Sequence, residues 1–264
     1  MLQKLTNPQP DLPPPFYVLG VRVDRFTQRQ ALDVIMNIVN RSRTDDQQAP
    51  CQQVVTVNPE FVMLARRNAA FLQVINQASL VVPDGIGIVL ALRYLRHPTP
   101  ERVTGVDTVV ALARRCAEEN YRIYLLGAAP GVAEIAATRL RELTPGLEIA
   151  GTYAGSPAPS EEDELIERIR AARADVLYVA YGAPAQDLWI ARNLARLPVA
   201  VAMGVGGSFD FIAGRQRRAP QVMQRVGMEW LYRLYREPWR WRRMLALPRF
   251  AIQVILKGRN RYNA

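Results

Sequence analysis

The hydrophobic positions of this chain fall into short apolar runs, and each run ends on a cluster of small, polar or glycine residues. A segment with helical periodicity follows each run. Strands that alternate with helices predict an α/β fold, here a Rossmann-like, mostly parallel sheet flanked by helices. The five runs, each with the cluster that ends it, are residues 53–55 with 56–60, 80–82 with 83–85, 123–126 with 127, 176–180 with 181–184, and 199–203 with 204–207.

The polar ends of these runs are predicted to meet in one crevice. Ligands of open α/β sheets bind outside the carboxyl ends of the strands. If the runs are parallel strands, their terminal clusters lie at the same edge of the sheet. That crevice is therefore the predicted location of any chemistry.

The pattern between the runs predicts the remaining elements. A helix is expected to open at Asn58, since Asn is a good cap, Pro59 suits the first helical position and Glu60 places an acid in the first turn. The other predictions are a strand over 16–23 and another over 147–152; helices over 28–40, 85–95, 108–120, 132–143 and 184–194; a helix opened by Ser160 as a capping box; a polar loop over 44–52; a short loop over 102–107; and a helical tail from Pro220 with breaks at Pro238 and Pro248.

Composition is that of a soluble globular protein. The chain has 264 residues, of which 49% are hydrophobic and 22% charged, enough for one large domain or two small ones. No stretch approaches the ~18 consecutive apolar residues of a membrane span. The polar, proline-rich start does not fit a signal peptide, so Cys51 and Cys116 are expected to be reduced thiols of a cytoplasmic protein.

Positive charge is concentrated at the C-terminal end. Residues 215–264 hold 13 Lys and Arg against two acids, a net charge of +11, whereas residues 1–214 have a net charge of −1. The same segment holds three of the four tryptophans. Arginine interleaved with aromatic residues favours peripheral association with the anionic inner face of the cell membrane; nucleic acid and a solvated basic helix are the alternatives. The predicted organisation is a flexible leader over 1–15, an α/β catalytic domain over 16–214 and a basic, aromatic-rich helical appendage over 215–264.

Three polar residues near the run ends are candidates for chemistry. Asp84 follows an apolar run of the kind that forms a buried strand, and its carboxylate could accept a proton from an attacking hydroxyl. Alternatively, it could cap the next helix as part of an Asp-Gly turn. Gln186 offers a donor and an acceptor to a sugar or a uracil edge, or caps a helix. Arg102 could bind a phosphate or carboxylate, or pair with Glu101.

Two glycine-rich stretches could approach a ligand closely. The stretch 127–131 could present backbone N–H groups to a phosphate or form a tight turn, and it lacks the GxGxxG spacing of a nicotinamide dinucleotide site. The denser stretch 204–207 is followed by Asp210, which could bind ribose or base donors. No cofactor or metal site is predicted, since the chain has no Asp-x-Asp, HExxH or P-loop motif. If this chain is an enzyme that acts on a nucleotide diphosphate, it would need arginines and backbone amides in place of a metal ion.

Six ordered blocks of this sequence resemble the WecG/TagA/CpsF glycosyltransferases. That family is inverting and moves N-acetylmannosaminyl-type sugars from UDP onto lipid-linked acceptors. The resemblance covers about residues 16–243, although the chain has Ala185 and Asp187 where the family usually has Lys and Glu. The blocks are residues 56–58, 83–85, 101–105, 182–187, 204–220 and 229–238.

The resemblance implies a role for particular residues. Asp84 matches the position proposed for the catalytic base, and Thr56 and Asn58 match positions that line the sugar and diphosphate site. Arginines of the appendage are implied to close over the site. With the residues at the run ends, the candidate set is Asp84, Thr56 and Arg102 for catalysis, and Asn58, Gly127, Tyr181, Gln186, Gly206, Asp210, Arg233, Arg240 and Arg243 for substrate binding.

The expected function is metal-independent transfer of N-acetylmannosamine, or a related hexose or uronic acid, in cell-surface polysaccharide synthesis. The expected partners are a UDP-sugar donor, an undecaprenyl-diphosphate-linked glycan acceptor and an anionic membrane, without nucleic acid; a homo-oligomer is left open. The alternatives are a non-catalytic nucleotide-sugar-binding protein and, less favoured, a nucleic-acid-binding protein that uses the basic tail.

Overall fold

The computed structural model describes residues 14–44, 49–97, 103, 105–225 and 228–257. Residues 1–13 of the predicted leader and residues 45–48 of the predicted polar loop lie outside this set. Within these residues the chain forms a six-stranded parallel sheet and a separate two-stranded hairpin. The strands are β1 Phe16–Val18, β2 Val21–Val23, β3 Gln52–Val57, β4 Leu80–Pro83, β5 Arg122–Gly127, β6 Glu148–Tyr153, β7 Val176–Ala180 and β8 Val201–Gly204.

Helices cover both faces of the six-stranded sheet, whose strand order is β4-β3-β8-β7-β5-β6. This arrangement confirms the predicted α/β class. The helices are α1 Gln28–Thr44, α2 Pro59–Ala65, α3 Ala69–Gln77, α4 Ile86–Tyr94, α5 Gly105–Glu118, α6 Val132–Leu143, α7 Glu162–Ala172, α8 Ala185–Asn193, α9 Ser208–Ile212, α10 Gln221–Arg225, α11 Glu229–Arg236, α12 Trp241–Met244 and α13 Ala246–Lys257, with 3-10 turns at Pro159–Glu161 and Pro238–Arg240.

Alternate strand residues point to opposite faces, and each face is buried under its own helices. Val54 belongs to the core formed with α1, α5, α6 and α9. Its neighbour Val55 belongs to the core formed with the β1–β2 hairpin, α2, α3, α4 and α13. A third cluster lies under α7 and α8 on the β5, β7 and β8 part of the sheet. The strands that correspond to the five apolar runs, β3, β4, β5, β7 and β8, are thus almost wholly buried, as expected for a parallel sheet covered on both faces.

Two predictions for the N-terminal half of the chain, one of a strand and one of a helix start, were wrong. Residues 16–23 form an antiparallel hairpin rather than one strand, with Val18 opposite Val21. Leu19 and Gly20 both have positive φ, 53° and 88°, which matches the tight two-residue turn of a hairpin. Helix α5 begins at Gly105, three residues before the predicted start.

Two signals for helix ends were also interpreted wrongly. Ser160 does not cap α7, because a 3-10 turn precedes that helix and Glu161 is its N-cap, without a side-chain hydrogen bond. Pro248 does not break the tail: it lies in the first turn of α13, where its missing N–H would have no helical partner. The helical path is interrupted at Leu245 instead.

The last helix is packed against the body of the protein. Phe250 and Val254 of α13 are buried in the same cluster as Phe61 and Val62 of α2. The short helices α11 and α12 therefore precede, along the chain, a last helix that is anchored in the core. Among the described residues, none of the helices is both long and apolar enough to span a bilayer.

Candidate active site

One cavity of about 330 Å³ opens at the carboxyl ends of β3, β4 and β8 and at the turn after β7. The C-terminal helices α11, α12 and α13 contribute its other wall. Its size falls in the range of small-molecule sites. The predicted site residues that line it are Thr56, Asn58, Asp84, Gln186, Gly206, Arg233, Arg240 and Arg243.

Asp84 and Thr56 come together at the start of α5. The Asp84 backbone N–H donates to the Val57 carbonyl at 2.7 Å, which ties the end of β4 to the end of β3. A Cβ atom on Gly105 would lie 3.6 Å from Thr56 Oγ1 and 3.8 Å from Asp84 Oδ2. Both oxygens therefore face the N-terminal end of α5, where a helix attracts negative charge.

Arg233 brings a positive charge to the same region. Its guanidinium carbon lies 4.5 Å from the centre of the Phe211 ring, a cation–π distance. Burial lowers the pKa of Arg233, and the largest opposing effect is the attraction of Asp84. The arginine thus lies close enough to Asp84 for the two charges to interact within the cavity.

Two further arginines of the cavity wall are held by carboxylates. Arg243 Nε donates to Glu60 Oε1 at 2.7 Å, which links α12 to the first turn of α2. Arg240 Nε lies 2.5 Å from Glu237 Oε2. Since each pair leaves other guanidinium N–H groups available, an anionic ligand could bind both arginines or compete with their acids.

A second set of contacts fixes the segment before α11. Arg218 Nη1 donates to Asp107 Oδ1 at 2.5 Å, and its Nη2 lies 3.6 Å from Glu229 Oε1. Gln216 Nε2 donates to Glu237 Oε1 at 3.0 Å. These bonds connect the C-terminal helices to the first turn of α5, and so to the side of the cavity where Asp84 lies.

Gln186 bridges two loops at the base of the cavity. The N–H groups of Gly182 and Gly206 donate to its Oε1 at 3.1 Å and 3.0 Å. The residue is only 1% exposed. Its amide oxygen is therefore engaged by the protein, and the amide NH₂ is the part left for other partners.

Asn58 has the capping role that the sequence predicted. Its Oδ1 accepts from the Phe61 N–H at 3.0 Å at the start of α2. Its side-chain NH₂ is the group with remaining donor capacity. Asn58 thus combines a helix cap with a position on the cavity wall.

Gly127 and Tyr181 are not part of the cavity lining. Gly127 has φ +100° and a Cβ there would lie 2.8 Å from the Ala180 carbonyl carbon, so close packing against β7 requires a glycine, in agreement with the tight-turn interpretation. The Tyr181 ring packs edge-on against Trp189 with ring centres 6.1 Å apart. Burial raises the pKa of the Tyr181 phenol, which favours its neutral form.

Asp210 and Arg102 are also not placed in the cavity. Asp210 lies in α9, and its main-chain carbonyl accepts from the Gln216 N–H at 3.1 Å, but its side chain is absent from the cavity lining. Arg102 lies outside the described residues. Neither residue therefore adds to the geometry described above.

The sequence did not single out several residues that line the cavity. Glu60 was interpreted only as a first-turn acid, and Trp230 only as part of a family block and as one of the three tryptophans of the basic tail. Phe211 gave no local signal, since its role depends on the arginine that packs over it from α11. Gln216 and Arg218 had a weak signal, their position in a basic stretch directly after the glycine-rich run.

The chain is similar to known proteins over most of its length. The family profile described as "Glycosyl transferase WecG/TagA/CpsF family" matches residues 16–264. Three curated relatives carry the name N-acetylglucosaminyldiphosphoundecaprenol N-acetyl-beta-D-mannosaminyltransferase. The relative from Bacillus spizizenii (strain W23) is 36% identical over 202 residues, 76% of this chain and 78% of its own length. That from Bacillus subtilis (strain 168) is 33% identical, with 79% and 80% covered, and that from Staphylococcus aureus (strain MW2) is 30% identical, with 90% and 91% covered.

Proposed function

Because this chain belongs to the WecG/TagA/CpsF family and is a glycosyltransferase, we propose that it transfers N-acetylmannosamine from UDP to a lipid-linked acceptor. The acceptor we propose is N-acetylglucosamine on undecaprenyl diphosphate, which the names of the relatives specify. The observation that carries the proposal is one cavity with a carboxylate at the strand ends, Asp84, and three arginines on the opposite wall.

The arginines supply the positive charge that a departing UDP requires. Arg233, Arg240 and Arg243 all line the cavity. Charge-assisted hydrogen bonds from guanidinium groups to phosphate are among the strongest in proteins. We therefore infer that these three side chains bind the diphosphate of the donor and stabilise the charge that develops as it leaves, so that the reaction does not require a divalent cation.

Asp84 is the group we propose as general base. The reaction is a single displacement in which an acceptor hydroxyl oxygen attacks the anomeric carbon. The bond from that carbon to the UDP oxygen breaks, the bonding electrons leave with UDP, and the hydroxyl proton passes to the Asp84 carboxylate. The configuration at the anomeric carbon is inverted. An unperturbed Asp has a pKa of about 3.9, so proton transfer is efficient only late, when attack has made the hydroxyl acidic.

A direct transfer assay tests the proposal. The purified full chain is incubated with UDP-N-acetylmannosamine and a synthetic polyprenyl-diphosphate N-acetylglucosamine, with and without EDTA. We expect a disaccharide product by mass spectrometry at the same rate in both conditions, and a β linkage by NMR. Binding of UDP-N-acetylmannosamine without product in the presence of acceptor would instead identify a non-catalytic nucleotide-sugar-binding protein.

We also propose that the C-terminal helices associate with an anionic membrane, where a polyprenyl acceptor resides. Trp239 is 71% exposed and Ile255 and Leu256 are 57% and 65% exposed, next to a high density of arginine. Exposed apolar and aromatic groups with cationic neighbours favour the membrane interface. Nucleic acid would use the cations but not the apolar side chains.

Vesicle flotation with surface variants tests this association. Truncation is unsuitable because Phe250 and Val254 of α13 are part of the core. We expect the combined Trp239→Ser, Ile255→Ser and Leu256→Ser variant to bind phosphatidylglycerol vesicles at least tenfold more weakly, since each fully buried large apolar side chain contributes about 1.5–3 kcal/mol. The control is Ile135→Ser with Leu143→Ser, two exposed positions on α6. Equal flotation of the two variants would contradict the proposal.

A further inference from the structure

We propose that Asp187 is a positioning residue that acts through Gln186. Its carboxylate faces the Gln186 side-chain NH₂ group, attracts it, and so holds that amide in one orientation at the base of the cavity. This inference rests on the proposed function in one respect only: it assigns the oriented amide to the binding of the UDP-sugar donor.

The orientation of the Gln186 amide follows from its partners. Two backbone N–H groups, from Gly182 and Gly206, point at one end of the amide, at 3.1 Å and 3.0 Å. Only the carbonyl oxygen can accept both, so the NH₂ group must be at the other end. A flipped amide would place two donors against two donors.

Asp187 lies where that NH₂ group points. A Cβ atom on Gly204 would be 2.6 Å from Gln186 Nε2 and 2.7 Å from Asp187 Oδ1. The amide nitrogen and the carboxylate oxygen therefore approach the same point above Gly204, which only a glycine leaves open. An amide donor and a carboxylate acceptor in that arrangement attract each other.

Burial of the Asp187 carboxylate costs free energy unless a hydrogen-bond donor such as the Gln186 amide faces it. Asp187 is 0% exposed. Within the described residues, neither of its carboxylate oxygens lies at both the distance and the angle of a hydrogen bond. Burial raises the pKa of Asp187 to about 7, while the Gln186 side chain and the residue's own backbone N–H act in the opposite direction. Among the residues that the structure describes, no charged side chain contributes to this shift. The Gln186 amide is thus the side-chain donor that lowers the cost of this buried group.

A simpler role for Asp187 would be to stabilise the start of α8. It is the third residue of that helix, and an acid in a first turn interacts favourably with the helix dipole. The backbone there is fixed by another contact, however, since Gln53 Nε2 donates to the Asp187 main-chain carbonyl at 3.1 Å. Side-chain substitutions can therefore separate the two roles.

A double-mutant cycle in the full chain distinguishes them. We expect Asp187→Leu to weaken binding of UDP-N-acetylmannosamine about three- to tenfold, the loss typical of one hydrogen bond, and Asp187→Asn to retain most of the affinity because its carbonyl still accepts. In the Gln186→Leu background, Asp187→Leu should cause no further loss. Equal losses in both backgrounds would overturn the proposal. Asp163→Leu is the control, because Asp163 is an exposed first-turn acid of α7.

A readout that requires no ligand protects the test against a variant that fails to fold. The side-chain amide resonances of Gln186 are followed by NMR between pH 5.5 and 8.5 in the wild type and in Asp187→Asn. We expect them to move with the titration of Asp187 in the wild type and to stay fixed in the variant. Resonances that do not move in the wild type would overturn the proposal. If they do move but the wild type transfers no sugar, the proposed function fails while the positioning role stands.

Discussion

Asp84 and Arg233 carry opposite charges in one small space, at the junction of β3, β4 and α5. Attraction to Asp84 raises the pKa of Arg233 against the effect of burial. During the proposed reaction Asp84 becomes neutral as it takes a proton, while negative charge develops on UDP. Arg233 then loses the attraction of Asp84 and keeps only the weaker attraction of Glu229 and Glu237, so it interacts more strongly with the leaving diphosphate as charge develops there.

The first prediction concerns Asp84. We expect Asp84→Asn to lower kcat by about 10²–10⁴, the usual contribution of a general base, while the affinity for UDP stays within about twofold because the arginines supply most of that binding. Steady-state kinetics and titration calorimetry measure the two quantities. Asp163→Asn, on the exposed start of α7, should change neither. Wild-type turnover in Asp84→Asn would exclude the role of base.

The second prediction concerns the pH dependence of stability. Because the pKa of Asp187 is raised to about 7 from 3.8, the folded state holds its proton more tightly than the unfolded state does. The free energy of unfolding should therefore fall as pH rises from about 4 to 7, by roughly 4 kcal/mol for a shift of three units. Above pH 7 this contribution is constant.

Denaturation by urea at several pH values measures this effect. The wild type should lose stability relative to Asp187→Asn between pH 4 and pH 7, since Asn does not ionise. The difference between the two proteins should be smallest at the acid end and constant above neutrality. Parallel stability curves for the two proteins would show that the Asp187 carboxyl titrates normally.

Local sequence signals predicted helices well where capping and periodicity agreed. Helix α6 has the predicted bounds, 132 to 143, and Asn58 caps α2 as expected. Helix α3 was missed, although Asn68 caps it as Asn58 caps α2, because only three residues separate the two helices; α9 was hidden in a glycine-rich stretch. These elements depend on burial against the sheet, which local propensity does not encode.

The order of the strands explains which site residues the sequence could place. The ends of β3, β4 and β8 are neighbours, so Thr56, Asp84 and Gly206 were correctly expected to lie together. Gly127 was grouped with them because it also ends a strand, but β7 and β8 separate β5 from β3. Strand order is set by crossover connections between distant segments, and a run-by-run interpretation of the sequence contains no information about it.

The third prediction compares two neighbouring arginines of α12. Both are exposed, but Arg243 lines the cavity and pairs with Glu60, whereas Arg242 is not in the cavity lining and its guanidinium carbon lies 5.4 Å from the Trp241 ring centre. We expect Arg243→Met to weaken UDP binding about tenfold or more, since hydrogen bonds to charged groups contribute about 1.5–3 kcal/mol. Arg242→Met removes the same charge and should leave UDP affinity unchanged. Equal effects would indicate that only the overall charge matters.

At the scale of the molecule, the separation of charge is the main feature. A body with net charge −1 carries a C-terminal segment with net charge +11. The proposed division into a catalytic domain and an appendage at residue 214 stays a prediction. The contacts from Arg218 to Asp107 and from Arg243 to Glu60 nevertheless show where the cationic segment is bonded to the body.

The fourth prediction follows from this charge distribution. Binding to phosphatidylglycerol vesicles should weaken strongly as salt rises from 0.05 M to about 0.5 M, because the Debye length falls from over 10 Å to a few ångströms. The transfer reaction with a short, water-soluble acceptor should depend much less on salt, since the cavity arginines act at contact distance. Sedimentation and product assays in one salt series measure both. An identical decline of the two would contradict the separation of roles.

Helix α13 has two very different sides. Phe250 and Val254 are buried against α2, while Ile252 and Ile255 are exposed to solvent. The first turn of α2 in turn holds Asn58 and Glu60 on the cavity wall. A bilayer or a detergent micelle that binds the exposed side of α13 therefore contacts a helix whose opposite side packs on α2, and the first turn of α2 carries the Glu60 that pairs with Arg243.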